Sequence, residues 1–410
     1  MKLSACMQSI ESLLDRQNSR MPVSGGEYRE VSSVEHRSDR VGTGSIFVAI
    51  RGAQADGHDF IADAVSRGAC AVVAEKDVEC GETAAFFRVE SSRKALGLLA
   101  ARFFGFPSEK MLMIGITGTN GKTTIAYLLE HILAASGARA GVIGTINCRY
   151  AGEVWENALT TPEATDLQRI LADMHRAGVS HAVLEVSSHG LALERVQGCG
   201  FDVGVFSNLS QDHLDFHSDM DDYREAKKRL FADFLRRKNK GGACAAVLNM
   251  ADPAGPVMAA AVSPECRQLQ VGRDRSRDVY PESVSFGPQG IDACIQTPGG
   301  AVSVRSGLVG WFNLENLLCA AGAAVALGIE PSVIAGALCS FSAVPGRLER
   351  IPDKAGRHVF VDYAHTPAAL ENVLDTLGRI SSGRIICVFG CGGDRDSGKR
   401  PKMGEIAAKK

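Results

Sequence analysis

Seven consecutive residues carry the strongest chemical signal in this chain: Gly118, Thr119, Asn120, Gly121, Lys122, Thr123 and Thr124. Glycines let a backbone curl until its N–H groups face phosphate oxygens, and a helix starting just beyond adds positive potential. A lysine at the end of such a loop reaches the β- and γ-phosphates, and the next hydroxyl touches Mg²⁺. Lys122 and Thr123 hold those two places. The strict pattern asks for glycine five residues before Gly121, where this chain has Ile116, so the loop is a variant.

Two more clusters point the same way. Glu185-Val186-Ser187-Ser188-His189 closes an apolar run at 181–186, and Asn208-Leu209-Ser210-Gln211-Asp212-His213 follows another at 202–207. In open parallel sheets, ligands gather beyond the carboxyl ends of strands. Glu185 and His213 are therefore expected near the phosphate loop. A carboxylate and an imidazole there suit a divalent metal beside ATP. Either residue alone would read as a surface or capping group; three strand ends together argue for a site.

The elements that must hold these groups alternate along the chain. Apolar runs predict strands at 111–117, 139–146, 181–186, 202–207 and 245–249. Helices are predicted at 123–136, 163–177, 220–237, 253–262, 313–327 and 331–340. This order predicts an α/β fold with a central parallel sheet. The helix at 163 has a start signal: Thr161 to cap it, Pro162 in its first turn and Glu163 at its positive end. Residues 279–309 break the alternation and read as short antiparallel strands. Residues 1–107 read as a small separate α/β unit, with strands at 45–50 and 71–74 around a helix at 60–67. Pro345-Gly346 opens a third region with strands at 358–363 and 385–389 and helices from Pro367 and near Pro401.

Composition narrows the function classes. The 410 residues carry 45 Lys+Arg against 47 Asp+Glu, a net charge of −2. Such a balance offers no global footprint for nucleic acid or an anionic membrane surface. No stretch approaches the roughly 20 apolar residues needed to span a bilayer, and the N-terminus lacks a signal-peptide core. Twelve scattered cysteines without a CxxC read as buried thiols in a reducing cytoplasm. Small-molecule chemistry in the cytoplasm is the expectation.

The ordered motifs resemble those of the Mur ligases of peptidoglycan synthesis. The matching strings are GTNGKTT, EVSSH, NLSxDHLD, Tyr223 to Lys227, Gly310-Trp311-Phe312-Asn313-Leu314-Glu315-Asn316, Pro345-Gly346-Arg347, the string from Asp362 to Pro367, and Gly390 to Asp396. The last two are most similar to the subfamily that adds the third peptide residue to UDP-N-acetylmuramoyl-L-alanyl-D-glutamate. The resemblance covers nearly the whole chain. It implies three domains: a small UDP-binding α/β domain at 1–107, a central P-loop ATPase domain with a parallel sheet at 108–343, and part of a Rossmann-like ligase domain at 344–410. It also implies a monomer.

The implied reaction is ATP-dependent amide ligation. A substrate carboxylate attacks the γ-phosphate, and an amine then displaces phosphate from the acyl phosphate. Two anions must approach each other, so cations are required. The resemblance supplies Lys122, two Mg²⁺ ions and Arg347. It assigns Thr123 and Glu185 to the first ion, and His213 and a carbamylated Lys227 to the second. Read by spacing alone, Lys227 and Lys228 are a solvated helix face. Asn316 matches a residue contacting adenine, and Asp362 one contacting ribose. For the sugar nucleotide, Ser38 and Ala53-Gln54-Ala55 match the uridine side, and Thr160, Thr161, Ser187 and Arg195 match the muramoyl-dipeptide side. Arg395 matches the residue that grips the incoming amino acid's carboxylate, as a planar guanidinium can do bidentately.

The chain departs from the family in three places. Arg37-Ser38-Asp39 exchanges the two charges of the usual Asp-Ser-Arg. Leu159 stands where Asn often precedes the Thr pair. The family's Asp-Asn-Pro-Arg specificity motif does not occur before Lys410. The string around Arg395 resembles diaminopimelate-adding members more than lysine-adding ones. Two alternatives follow: a folylpolyglutamate-synthase-like ligase, or a nucleotide-binding chain without ligase turnover.

Overall fold

The computed structural model describes residues 1–20, 29–52, 55–81, 83–235, 244–355, 357–381, 383–391 and 398–410. The chain divides into two compact units. The first comprises Met1–Gly115, Arg139–Asp202 and His213–Cys244; the second comprises Ile116–Ala138, Val203–Asp212 and Ala245–Lys410.

The first unit holds a five-stranded sheet in the order Leu14–Arg20, Ala85–Val89, Ala71–Ala74, Ser45–Val48, Ser33–Glu35. All neighbours are parallel except the first pair. Alternating side chains fill opposite faces. Val48, Val73 and Phe87 pack with Ile10, Leu96 and Leu99. Phe47, Val72 and Phe86 pack with Ile61 and Ala64. Burial on both faces explains why these strands read as unbroken apolar runs. The same unit carries the neighbouring strands Leu112–Thr117 (through Gly115), His181–Glu185, Ala140–Ile143, Cys148–Tyr150 and Glu153–Trp155. His181–Glu185 and Ala140–Ile143 are parallel; the last two strands return antiparallel.

The second unit takes the end of strand Leu112–Thr117 and sets beside it Val203–Phe206, Ala245–Asn249 and Arg267–Val271. The last three are parallel. Helix Lys122–Ala135 follows the phosphate loop and buries Ile125, Leu128, Leu129, Ile132 and Leu133, the apolar face of a 3.6-residue repeat. Helix Trp311–Ala326 is buried nearly all round. Residues 280–306 form the expected antiparallel meander, Tyr280–Gly287, Gly290–Thr297 and Gly300–Ser306.

Several sequence expectations need correction. Of the helix predicted at 220–237, Met220–Arg229 is an α-helix and Leu230–Phe234 a π-turn, while residues 236–237 lie outside the described residues. That wider turn buries Leu230, Phe231 and Phe234 together. The segment 385–389 does not form a strand: no neighbour pairs with it among the described residues, and Ile386 and Val388 are exposed. Cys244 and Cys266 are disulfide-bonded, while the other ten cysteines are free thiols. Lys227 is not on a solvated face; it is 1% exposed. Among the described residues, no helix is long and apolar enough to cross a membrane.

Candidate active site

The phosphate loop lies in the second unit and is tied down by the segment after strand Val203–Phe206. Thr119 N–H donates to the Asn208 carbonyl at 2.8 Å. Asn120 N–H donates to Asn208 Oδ1 at 2.9 Å, and Ser207 Oγ donates to the Asn120 carbonyl at 2.6 Å. Lys122 Nζ folds back onto the Gly118 and Thr119 carbonyls at 2.8 and 2.9 Å. Gly118 and Gly121 both have positive φ, +148° and +87°. Each also lacks room for a side chain: a Cβ at Gly118 would overlap Ser207 Oγ, and one at Gly121 would overlap Asn316 Oδ1. Thr123 and Thr124 are buried in the first turn of the following helix, whose N-terminus favours anions.

Asn316 is thus a brace for the loop as well as a candidate adenine contact. Its Nδ2 donates to Asn313 Oδ1 at 3.1 Å, which points its Oδ1 away, to the Gly121 side. Arg347 Nη2 lies 3.4 Å from Thr123 Oγ1, and its guanidinium stands over the Tyr363 ring at 5.5 Å. Asp362 accepts from the backbone N–H of Leu348 at 2.7 Å and of Ala364 at 2.8 Å. The carboxylate therefore staples the Pro345-Gly346-Arg347 turn to the Asp362–Pro367 string. Burial pushes the Asp362 pKa up, against those two hydrogen bonds and Arg347.

A second group of predicted residues assembles in the first unit. Glu185, at the end of its strand, is 1% exposed. The backbone at Gly144 passes so close that a Cβ there would overlap its Oε1. Thr145 then donates twice to it, from N–H at 3.1 Å and from Oγ1 at 2.8 Å. Thr160 Oγ1 is 3.1 Å from the same Thr145 hydroxyl. Thr161 does not cap the helix at 163. The helix begins at Ala164, and Thr161 Oγ1 instead donates to the Glu185 carbonyl at 2.9 Å and sits 3.0 Å from Ser187 Oγ. Arg195 donates from Nε to Glu163 at 2.8 Å and from Nη1 to the Thr161 carbonyl at 3.2 Å.

Thr145 was not visible as a functional residue in the sequence, because only the sheet brings it to Glu185. Replacing it with Val removes one donor from a buried carboxylate. The expected cost is about 1–3 kcal/mol of stability, to be read from the shift of the denaturant midpoint at unchanged slope. A Thr145→Val midpoint equal to the parent's would show that the bond is dispensable.

Behind Glu185 in sequence lies an aromatic cage. His189 contacts His213 at 4.8 Å between ring centroids, Phe216 at 4.1 Å and His217 at 5.9 Å. Tyr223 touches His213 and His217 and carries the Lys227 ammonium over its face at 4.4 Å. His213 adopts φ +55°, a left-handed turn uncommon without glycine. Burial, with the neighbouring His213 and His217, pushes the His189 pKa down to about 4, which keeps it neutral at pH 7. His217 donates from Nδ1 to Asp222 Oδ2 at 3.2 Å, while its buried Nε2 has no hydrogen-bond partner among the described residues. Sequence reading missed His189, Phe216 and His217 as members of one cluster.

Two predicted sugar-nucleotide residues, Ser38 and Ala55, stand apart. Ser38 starts a short 3-10 turn. Its exchanged neighbours Arg37 and Asp39 pair with each other at 3.0 and 2.6 Å. Ala55 accepts from Gly52 N–H at 2.9 Å. Gln54 and Arg395 lie outside the described residues.

Among the described residues, no three His, Cys, Asp or Glu side chains form a ready cation cage. Mg²⁺ itself keeps several waters and takes one or two carboxylates together with substrate phosphates. Glu185, buried and accepting two hydrogen bonds from Thr145, is a carboxylate of the type such an ion takes.

Known proteins match along the chain. The family description "Mur ligase family, catalytic domain" matches residues 30–104, "Mur ligase middle domain" residues 116–324, and "Mur ligase, glutamate ligase domain" residues 346–410. The UDP-N-acetylmuramoyl-L-alanyl-D-glutamate–2,6-diaminopimelate ligase of Geobacter metallireducens is 46% identical over 381 residues, 93% of this chain and 74% of that protein. The protein of the same name from Bacillus licheniformis is 41% identical, over 93% of this chain and 78% of its own length. A solved structure of a ligase of that name superposes with a TM-score of 0.79 at 33% identity, covering 100% of this chain and 81% of that one. A folylpolyglutamate synthase of Mycobacterium tuberculosis superposes at 0.57 with 19% identity, over 68% of this chain and 69% of its own, a likeness of fold alone. With the family's middle domain spanning 116–324 and a relative of 46% identity matched over most of its length, the chain belongs to the Mur ligase family of ATP-dependent amide ligases.

Proposed function

We propose that this chain joins meso-diaminopimelate to the D-glutamyl carboxylate of UDP-N-acetylmuramoyl-L-alanyl-D-glutamate. The observation that carries this reading is the 46% identity, over 93% of the chain, to a ligase named for that reaction. The substrate carboxylate attacks the γ-phosphorus of ATP, the bond to the β–γ bridging oxygen breaks, and ADP leaves. The amine nitrogen then attacks the acyl phosphate carbonyl, loses a proton and expels phosphate.

Each group of side chains has a part in this. The loop from Gly118 to Thr124 cradles the phosphates with its backbone. Lys122 leaves its two loop carbonyls for the β- and γ-phosphates, and Arg347 offsets charge on the transferring group. Asn316 and Asp362 serve adenine and ribose. We assign Mg²⁺ coordination, two ions in all, to Thr123, Glu185, His213 and carbamylated Lys227. Bound with the nucleotide, the ions would neutralise phosphate charge. Carbamylation takes two protons from the Lys227 ammonium, one to free the amine nitrogen and one as that nitrogen bonds to CO₂, which turns a buried cation into a carbamate anion. Thr160, Thr161, Ser187 and Arg195 hold the dipeptide, Ser38, Gln54 and Ala55 the uridine end, and Arg395 the incoming amino acid. We infer three domains at 1–107, 108–343 and 344–410, supported by the three family stretches, and a cytoplasmic monomer.

The decisive assay is phosphate release with ATP, UDP-muramoyl-dipeptide and either diaminopimelate or lysine. Turnover that requires diaminopimelate is expected. Equal turnover with lysine would remove the acceptor assignment, and none with either would leave a nucleotide-binding chain.

A further inference from the structure

Glu163 is placed where a helix cap belongs but is not used as one. It precedes helix Ala164–Arg176 and makes no side-chain capping bond. Its backbone carbonyl still accepts from Leu167 N–H at 2.8 Å, so the helix start does not need the carboxylate. The carboxylate instead sits between two guanidinium groups. Oε1 accepts from Arg195 Nε at 2.8 Å, and Oε2 lies 3.6 Å from Arg93 Nη1. All three side chains are largely buried, at 11 to 18% exposure.

Arg93 is also unusual in position. It lies in the first turn of helix Ser92–Phe103, where the helix dipole disfavours a cation. What compensates is its set of partners: Glu163, the Leu193 carbonyl at 3.3 Å and the Arg51 carbonyl at 2.7 Å. It therefore links the segment leading to Ala55 with the turn leading to Arg195. Arg195 has five N–H donors. Nε and one hydrogen of Nη1 are engaged, and Nη2 has no hydrogen-bond partner among the described residues. The trio holds one positive charge in excess.

We propose that Glu163 is a positioning residue for substrate recognition. It fixes Arg195 through Nε so that the Nη1–Nη2 edge meets a carboxylate of the sugar-nucleotide dipeptide bidentately, and Arg93 fixes Glu163 in turn. This rests on the reading of Arg195 as a substrate-binding residue. Arg93 also ties this trio, by a hydrogen bond, to the Arg51 carbonyl four residues before Ala55.

Steady-state kinetics on the full chain separate the possibilities. Glu163→Gln keeps shape and helix start but removes the charge. It is expected to raise KM for the sugar nucleotide about tenfold, with KM for ATP and saturated kcat within about twofold of the parent. Arg195→Ala is expected to raise the same KM at least as much, and the double variant no further, because the two act through one contact. Arg93→Gln, one ion pair further out, is expected to raise it by a smaller factor. An unchanged KM in Arg195→Ala overturns the reading of Arg195 and this inference with it. A raised KM in Arg195→Ala with an unchanged one in Glu163→Gln, or additive effects in the double variant, overturns the inference alone. Should Glu163→Gln fail to fold, an unchanged KM in Arg93→Gln overturns it.

Discussion

Lys227→Ala is expected to lower kcat by about 10²–10³-fold, the usual loss when one preorganised charged group leaves a reacting site. Short carboxylic acids such as formate or acetate are expected to restore part of it. The physical argument begins with burial. Lys227 is 1% exposed, and its ammonium stands 4.4 Å over the Tyr223 ring. Truncation to Ala empties space against that ring, next to the cage of His189, His213 and His217. A small carboxylate entering the space would supply the oxygens that a carbamate supplies in the parent. Rescue should saturate with acid concentration and should be absent with methylammonium, which has the wrong charge. Parent-like turnover in Lys227→Ala would end the assignment, and rescue by the cation would invert it.

Gly121→Ala is expected to weaken ATP binding severely. Two costs add at this position. A side chain at φ +87° carries about 1–2 kcal/mol of left-handed strain. Its Cβ would also overlap Asn316 Oδ1, and overpacking of this kind costs typically 1–3 kcal/mol. Together these amount to about 2–5 kcal/mol, or ~30- to 4000-fold in Kd. Calorimetric titration with ATP measures it. Making the change in an Asn316→Ala background tests the cause: read against Asn316→Ala alone, which itself loses the adenine contact, Gly121→Ala should there cost only the strain. A single Gly121→Ala variant binding ATP like the parent would show that the loop can rearrange.

How much of this was legible beforehand depends on how far apart the interacting residues lie. The phosphate loop is local: its glycines, lysine and hydroxyls are adjacent, so composition and order alone announce phosphate chemistry. Strand Leu112–Thr117 and helix Lys122–Ala135 were equally readable, since each carries its own periodicity. The corrected elements were those whose fate depends on distant partners. Residues 385–389 have the β-branched, apolar composition of a strand, yet a strand exists only if another pairs with it. The π-turn at Leu230–Phe234 answers to a close approach at Gly115, where a Cβ would lie 3.1 Å from Leu230 Cδ1.

The sequence by itself determined the chemistry available: a phosphate-binding loop, carboxylates and imidazoles at strand ends, and an ordered set of motifs like those of the Mur ligases. The tertiary structure alone decided what each group is attached to. It turned Thr161 from a helix cap into a support for Glu185 and Ser187. It buried Lys227 against Tyr223 where helical spacing suggested solvent. It gave Asn316 a role at Gly121, 195 positions away in sequence, and set Glu163 between Arg93 and Arg195. The reason is common to all four. A side chain's type is written at its own position, but its burial and hydrogen-bond partners come from chain segments that only folding brings within reach.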